Sequence, residues 1–172
     1  AVVVRSCNFA DCNSTEEGRA IASGHVSSFG GNNKIEVEDC FFTNCEAGKG
    51  GAFHSMSGTA ETNEETSISN CTFVNCFASD SSHEGYSIYC RSYKICIENC
   101  KFNDHKRATD SKSCCIVYVE TNEKIPPAIN FLHFESNTGV ASLILYTLQN
   151  ITMEGLTFNK ITDNIPCINL DN

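Results

Sequence analysis

Apolar residues along this chain alternate over short arms, then slip by one residue at a fixed place in each of six copies. The copies align on Cys7, Cys40, Cys71, Cys100, Leu132 and Leu156. Three residues earlier stand Val4, Val37, Ile68, Ile97, Ile129 and Met153, and five earlier Val2, Ile35, Thr66, Ile95, Pro127 and Ile151. Two residues later comes a phenylalanine every time: Phe9, Phe42, Phe73, Phe102, Phe134 and Phe158. A period of two within each arm is strand periodicity. The slip between arms predicts a corner.

Turn-forming residues fall where corners are needed. One set is Ser6, Asp39, Asn70 and Asn99, joined by Phe131 and Gly155; the other is Asp11, Asn44, Asn75, Asp104, Ser136 and Lys160. A third apolar arm follows in "GRAIAS", "GGAFHS", "EGYSIYC", "SCCIVYV" and "VASLILY". Polar stretches such as Ser57 to Ser67 read as loops, and their variable length explains phenylalanine spacings of 33, 31, 29, 32 and 24 residues. Three short strands per repeat of about 30 residues predict an all-β fold, a right-handed parallel β-helix (solenoid) of about six rungs. Stacked at about 4.8 Å per rung, it would form a rod of roughly 29 Å. The six phenylalanines would form one internal stack, and the cysteines of "CNFADC", "CFFTNC" and "CTFVNC" two others. Gly50 and Gly51 would give a tight entry into the third arm. A β-sandwich has no need of the same phenylalanine six times in register, and a small cysteine-rich module lacks this much aliphatic core.

Length and charge narrow the function. The 172 residues suit one β-helix domain, 1–172, read as a piece of a longer solenoid because full rung positions occur at both ends. A net charge of −9 argues against nucleic acid and an anionic membrane surface. No apolar run approaches the roughly 18 residues of a bilayer span.

Twelve cysteines and three N-glycosylation sequons, at Asn13, Asn70 and Asn150, favour an oxidising, extracellular or cell-surface setting. All twelve are disulfide candidates: Cys7, Cys12, Cys40, Cys45, Cys71, Cys76, Cys90, Cys96, Cys100, Cys114, Cys115 and Cys167. Stacked neighbours fall within the Cα range of a disulfide. Cys7 with Cys40, Cys12 with Cys45, Cys45 with Cys76, and Cys71 with Cys100 are all open, as are Cys90 with Cys96 and Cys114 or Cys115 with Cys167. A cysteine inside a column can pair only one way, and a ladder of reduced thiols acting as small hydrophobes is the alternative. Neither zinc nor any other cofactor is expected. His25, His54, His83, His105 and His133 share no spacing, and no pair of C-x-x-C units occurs, which leaves Cys96 with Cys100 or Cys100 with His105 as isolated pairs.

The chain resembles the repeats of chlamydial polymorphic outer-membrane proteins and the related surface proteins of parasitic protists such as trichomonads. Phe134-Glu135-Ser136-Asn137 fits their F-x-x-N segment, and Gly50-Gly51-Ala52-Phe53 fits their G-G-A-I segment apart from the last residue. In three other copies Cys12, Cys45 or Cys76 takes the asparagine's place. The resemblance implies a cell-surface or secreted adhesin-like passenger, and the cysteines and sequons lean towards a eukaryotic microbe.

Catalysis is not expected. A β-helix hydrolase would need paired carboxylates across a groove. Glu36 and Glu38 alternate along a strand, Asp11, Asp39 and Asp104 sit at corners, and Glu61, Glu64 and Glu65 read as solvated loop charge. Ser23-Gly24-His25 offers a histidine with no acid beside it, and Ile161 to Asn164 reads as a loop. The expected role is a non-catalytic adhesin-like or structural stalk. The partners open to it are a host-surface protein or glycan, with Tyr86, Tyr89 and Tyr93 as the best contact candidates and a core role for some of them equally open, or further copies through the open rung ends, giving a filament. A carbohydrate-active enzyme is the remaining alternative.

Overall fold

The computed structural model describes residues 1–15, 20–24, 34–56, 65–79, 85–106, 115–121, 125–147, 149–162 and 167–171. Cys114, His25, His83, Glu61, Glu64, Asp163 and Asn164 lie outside them. The described residues form strands and no helix, and the strands stack in parallel as a β-solenoid.

Each arm predicted from the alternation becomes one sheet. The first arm gives β1 (Val2–Arg5), β4 (Lys34–Glu38), β8 (Glu65–Ser69), β12 (Lys94–Glu98) and β15 (Ala128–Asn130). The phenylalanine arm gives β2 (Asn8–Ala10), β5 (Phe41–Thr43), β9 (Thr72–Val74), β13 (Lys101–Asn103), β16 (His133–Glu135) and β18 (Thr157–Asn159). The third arm gives β3 (Ile21–Gly24), β7 (Phe53–Met56), β11 (Ile88–Ser92), β14 (Cys115–Thr121), β17 (Ala141–Tyr146) and β19 (Ile168–Asp171). A short pair, β6 (Glu46–Ala47) and β10 (Phe77–Ala78), follows the second corner. Within each sheet the strands pair in order of the repeat.

The registers match the sequence columns. Val4 pairs with Val37, Val37 with Ile68, Ile68 with Ile97 and Ile97 with Ile129. The six phenylalanine rings form one continuous internal stack, with centroids 4.8 to 5.4 Å apart and planes within 16° of parallel. That spacing is the strand separation itself, so parallel pairing places like rings face to face.

The corners fall where the turn formers stand. All eleven non-glycine residues with positive φ among the described residues are corner residues, with φ between 50° and 60°, and Gly155 completes the set at 65°. Asn, Asp and Ser enter this left-handed region at least cost. Pairing continues through the bends. The N–H of Ser6 donates to Glu38 O at 3.0 Å, and that of Asp11 donates to Thr43 O at 3.0 Å. The ladder therefore continues through the bend at ten of the twelve corners, from Ser6 to Ser136.

Two expectations change. The Ser57 to Ser67 loop is shorter than read, because Glu65, Thr66 and Ser67 belong to β8; residues 57–64 lie outside the described set. Glu65 is thus a strand residue on the outer face, 3.3 Å from Lys94 Nζ. The first arm of the last copy is also not a strand. Its backbone runs beside β15, with Phe131 N–H on Glu154 O at 2.7 Å, but Glu154 N–H bonds the Asn130 side chain at 3.1 Å instead of a backbone carbonyl.

Candidate functional site

The reactive side chains gather in two interior columns flanking the phenylalanine stack. Cys7, Cys40, Cys71 and Cys100 form the first, just after the first corner, and Leu132 and Leu156 continue it. Cys12, Cys45 and Cys76 form the second, just after the second corner, and His105, Asn137 and Ile161 continue it. The buried members pack in the main core, with Cys12 packed against it, and Cys7 is exposed. The eleven described cysteines are thiols.

Each buried thiol in these columns lies between two carbonyls, one on its own level and one on the level below. Cys40, Cys71 and Cys100 are nearest Glu38 O, Ser69 O and Glu98 O at 3.2, 3.1 and 3.3 Å, with Val4 O, Val37 O and Ile68 O at 3.7, 3.7 and 3.8 Å. Cys45 and Cys76 lie 3.6 and 3.7 Å from Thr43 O and Val74 O, and 3.7 and 3.9 Å from Phe9 O and Phe42 O. Asn137 Nδ2 donates to Phe102 O at 3.0 Å. Cysteine and asparagine therefore face the same carbonyl of the level below at this position.

Thiols also shift one another's acidity along each column. The Cys76 thiol, hydrogen-bonded to Cys45, is the main influence that pulls Cys45 down to about 7, with Cys12 contributing less. Its counterpart Cys76 rises well above an ordinary thiol, through that same bond and through burial. The pair thus loses its first proton readily and its second with difficulty. Cys71 is lowered mainly by Cys100, and Cys100 is raised in the same way. Burial raises Cys40.

Where the second column turns from thiol to imidazole, a polar cluster forms that the sequence reading missed. Ser87 Oγ lies 2.6 Å from His105 Nε2. Asn137 Oδ1 accepts from the His105 backbone N–H at 2.9 Å and lies 3.2 Å from Nδ1. An amide oxygen only accepts, so Nδ1 carries the proton and Nε2 accepts from the serine hydroxyl. This is the connectivity of a nucleophile, a base and an orienting group. All three residues are 0% exposed, so no substrate reaches the serine in this state. Burial pulls His105 down to about 4 and keeps it neutral. The one available signal was that His105 and Asn137 stand five residues after Cys100 and Leu132, in the cysteine column.

The other cysteines stand apart from these columns. Cys90 faces the core between Ser55 and Val119, whereas Cys96 sits between Ser67 and Ala128, in the alternate positions to the buried Ile95 and Ile97. Cys96 and Cys90 therefore lie on opposite faces of the wall, and so do Cys96 and Cys100. Cys115 is opposite Ala141, while Cys167 is one level further, opposite Ser142. Two levels span about 9.6 Å, beyond disulfide reach, so Cys115 cannot pair with Cys167.

Tyr86 and Tyr89 are not exposed contact residues. Tyr86 is 0% exposed against Phe77, and Tyr89 is 5% exposed in a stack with His54 and Tyr118. Tyr93 is half-buried. Glu36 and Glu38 face outward and pair with Arg5, and Glu36 also with Lys34. Among the described residues no three His, Cys, Asp or Glu side chains converge as metal ligands. All three sequon asparagines are exposed. Asn13 lines an open cleft of about 350 Å³ along the second corner, where Asn44 Nδ2 donates to Asp11 Oδ1 and Asn75 Nδ2 to Asn44 Oδ1.

The chain matches no protein-family model, and comparisons with curated proteins and with solved structures give no match.

Proposed function

We propose that this chain is a non-catalytic, extracellular or cell-surface β-helix that serves as an adhesin-like or structural stalk. The observation that carries this reading is the uninterrupted phenylalanine stack between two left-handed corners, repeated at every level. Such a scaffold holds its ends at a fixed separation and tolerates loops of any length on its surface, where contacts are made. We read the solenoid as right-handed and six rungs deep. Parallel crossovers are right-handed almost without exception, and two of the three main sheets contain six strands. The exposed Asn13, Asn70 and Asn150 support the extracytoplasmic placement, and F-x-x-N and G-G-A-F support kinship with polymorphic outer-membrane protein-like repeats. Labelling intact source cells with a membrane-impermeant reagent tests the placement, together with native mass before and after glycan removal. Labelling without permeabilisation and a glycan mass at the sequons support it. An unmodified chain labelled only after lysis sinks it.

Association of copies is the second reading, favoured by the exposed apolar side chains of Val2, Val3 and Leu170. Sedimentation over a hundredfold concentration range tests it; a monomer throughout excludes it.

A further inference from the structure

We propose that the open cleft along the second corner is a binding site for a neutral saccharide, a disaccharide in length. Two columns of side chains form its walls. Asp11, Asn44 and Asn75 stand on one side at successive levels, and Asn13, Glu46 and Phe77 on the other. At each level the two wall residues flank a cysteine, Cys12, Cys45 or Cys76, which packs towards the core. The backbone holds both walls in place. Asn13 bridges to Glu46, and Glu46 pairs with Phe77 in parallel register. Across from them the N–H groups of Asp11 and Asn44 donate to Thr43 O and Val74 O, each at 3.0 Å. Three levels span about 9.6 Å from first to last. The volume of about 350 Å³ lies at the lower end of small-molecule sites, which run from roughly 300 to 1,000 Å³.

The lining chemistry selects the ligand. The corner amides form a one-way ladder, with Asn75 Nδ2 donating to Asn44 Oδ1 at 2.9 Å and Asn44 Nδ2 donating to Asp11 Oδ1 at 3.0 Å. That ladder uses one of the two hydrogens on each Nδ2 and one of the two oxygens of Asp11. It fixes the amide planes, and the second hydrogens, Asp11 Oδ2 and the Glu46 carboxylate are the groups a ligand meets. A row that mixes donors and acceptors at the strand spacing suits sugar hydroxyls, which do both. Half-buried Phe77 adds an apolar surface for the C–H face of a sugar ring. The charged residues among the described ones lining the cleft are both carboxylates, so anionic sugars are repelled and neutral ones accepted. Asn13 points to the kind of neutral sugar. It is exposed and begins a sequon in the cleft wall, so a glycan attached there starts inside the cleft with its paired N-acetylglucosamine core. The same disaccharide unit can arrive as the chain's own glycan or on another molecule. The second source deepens the adhesin-like reading and rests on it, whereas the chemistry of the cleft is the same in any compartment.

The test titrates the full chain, produced without glycosylation, with di-N-acetylchitobiose and follows the side-chain amides by NMR. The Asn44 and Asn75 signals should shift saturably, with a Kd of about 1 mM or tighter. Asn44→Gly keeps the left-handed corner and removes one amide, and should weaken binding about fivefold or more. Asn99→Gly makes the same change at φ 54° on the first corner, outside the cleft, and should bind as the unaltered chain does. A disaccharide bearing a uronic acid should leave the signals in place. No shift at tenfold that Kd, binding unchanged by Asn44→Gly, equal weakening by both variants, or equal binding of the uronic disaccharide would overturn the proposal. The chain glycosylated at Asn13 tells the two sources apart. Signals already at the shifted position and indifferent to added saccharide mean that the chain's own glycan fills the cleft. Signals that still respond mean that the cleft takes a glycan from another molecule. Cell-surface labelling is read separately. A chain that binds but is labelled only after lysis keeps the site and sinks the placement, and a labelled chain that does not bind does the reverse.

Discussion

Asn137 donates from Nδ2 to the backbone carbonyl of Phe102 at 3.0 Å, the acceptor position that Cys45 and Cys76 reach with thiols in their own copies. The asparagine does more than the thiol, because its oxygen also holds the backbone N–H and Nδ1 of His105. Asn137→Ala therefore strands several buried polar groups, at about 1–3 kcal/mol each. Cys76→Ala gives up a weak donor and little volume. Urea unfolding under reducing conditions should show Asn137→Ala more destabilising than Cys76→Ala by about 2 kcal/mol or more. Equal losses would mean that the amide network adds nothing beyond filling space.

His105 makes the fold sensitive to acid. An unfolded imidazole titrates near 6.5, whereas burial holds His105 at about 4 in the folded chain. Between these values the unfolded chain binds more protons, so stability falls as pH falls. The contribution is fully present above the unfolded value and is lost as pH drops to the folded one, amounting to about 3 kcal/mol. Glu36, lowered by its hydrogen bond and charge pairing with Lys34, and Glu135, lowered by hydrogen bonds from His133 and Lys160, add to acid loss at lower pH. Comparison with His105→Asn isolates the histidine. The wild type should lose more stability than the variant between pH 7 and 4.5, and parallel losses would refute the assignment.

Phe73 lies mid-stack, 4.8 Å from Phe42 and 5.0 Å from Phe102, and is fully buried. Phe73→Ala opens a cavity and breaks two ring contacts, for a cost of about 4 kcal/mol or more. Phe158 is only partly buried and has one ring neighbour in the stack, Phe134 at 5.4 Å. Phe158→Ala should cost about half as much, measured by the same urea titration. A larger loss at Phe158 would mean that the stack is not the principal support of the fold.

The periodic features were legible because each is a local signal repeated. Phe9 over Phe42, and the corners at Asp39 and Asn44, follow from counting residues. The Ser87–His105–Asn137 cluster was not legible, because Ser87 comes from the third arm and reaches His105 only through lateral packing. That packing varies with loop length and has no period. Tyr89 stayed open between contact and core for a related reason. Alternation places it on the outer side of its strand, but alternation cannot report that His54 and Tyr118 enclose its ring. Glu65 was misread because a polar strand edge and a loop have the same composition.

Two positions near corners should respond in opposite directions. At Gly51 an added Cβ would sit 2.4, 2.5 and 2.7 Å from the carbonyl oxygens of Phe77, Tyr86 and Cys45. These are backbone atoms of the wall and of the adjoining level, so they cannot turn aside as a side chain would. Gly51→Ala must push strands apart, and overpacking of this kind costs about 1–3 kcal/mol. Phe131 is the reverse case. It holds a left-handed corner at φ 56° with a bulky side chain that is 53% exposed, where most other copies use Ser, Asp or Asn. Its ring lies over Gly155, where a Cβ would come within 2.4 Å of Cδ1, so each member of the pair accommodates the other. Phe131→Asn keeps the corner with a residue suited to it and gives up little burial, which should stabilise the fold by about 0.5–1 kcal/mol. Thermal unfolding of the two variants checks both signs. A lower midpoint for Phe131→Asn would show that the ring's contact with Gly155 outweighs the backbone strain.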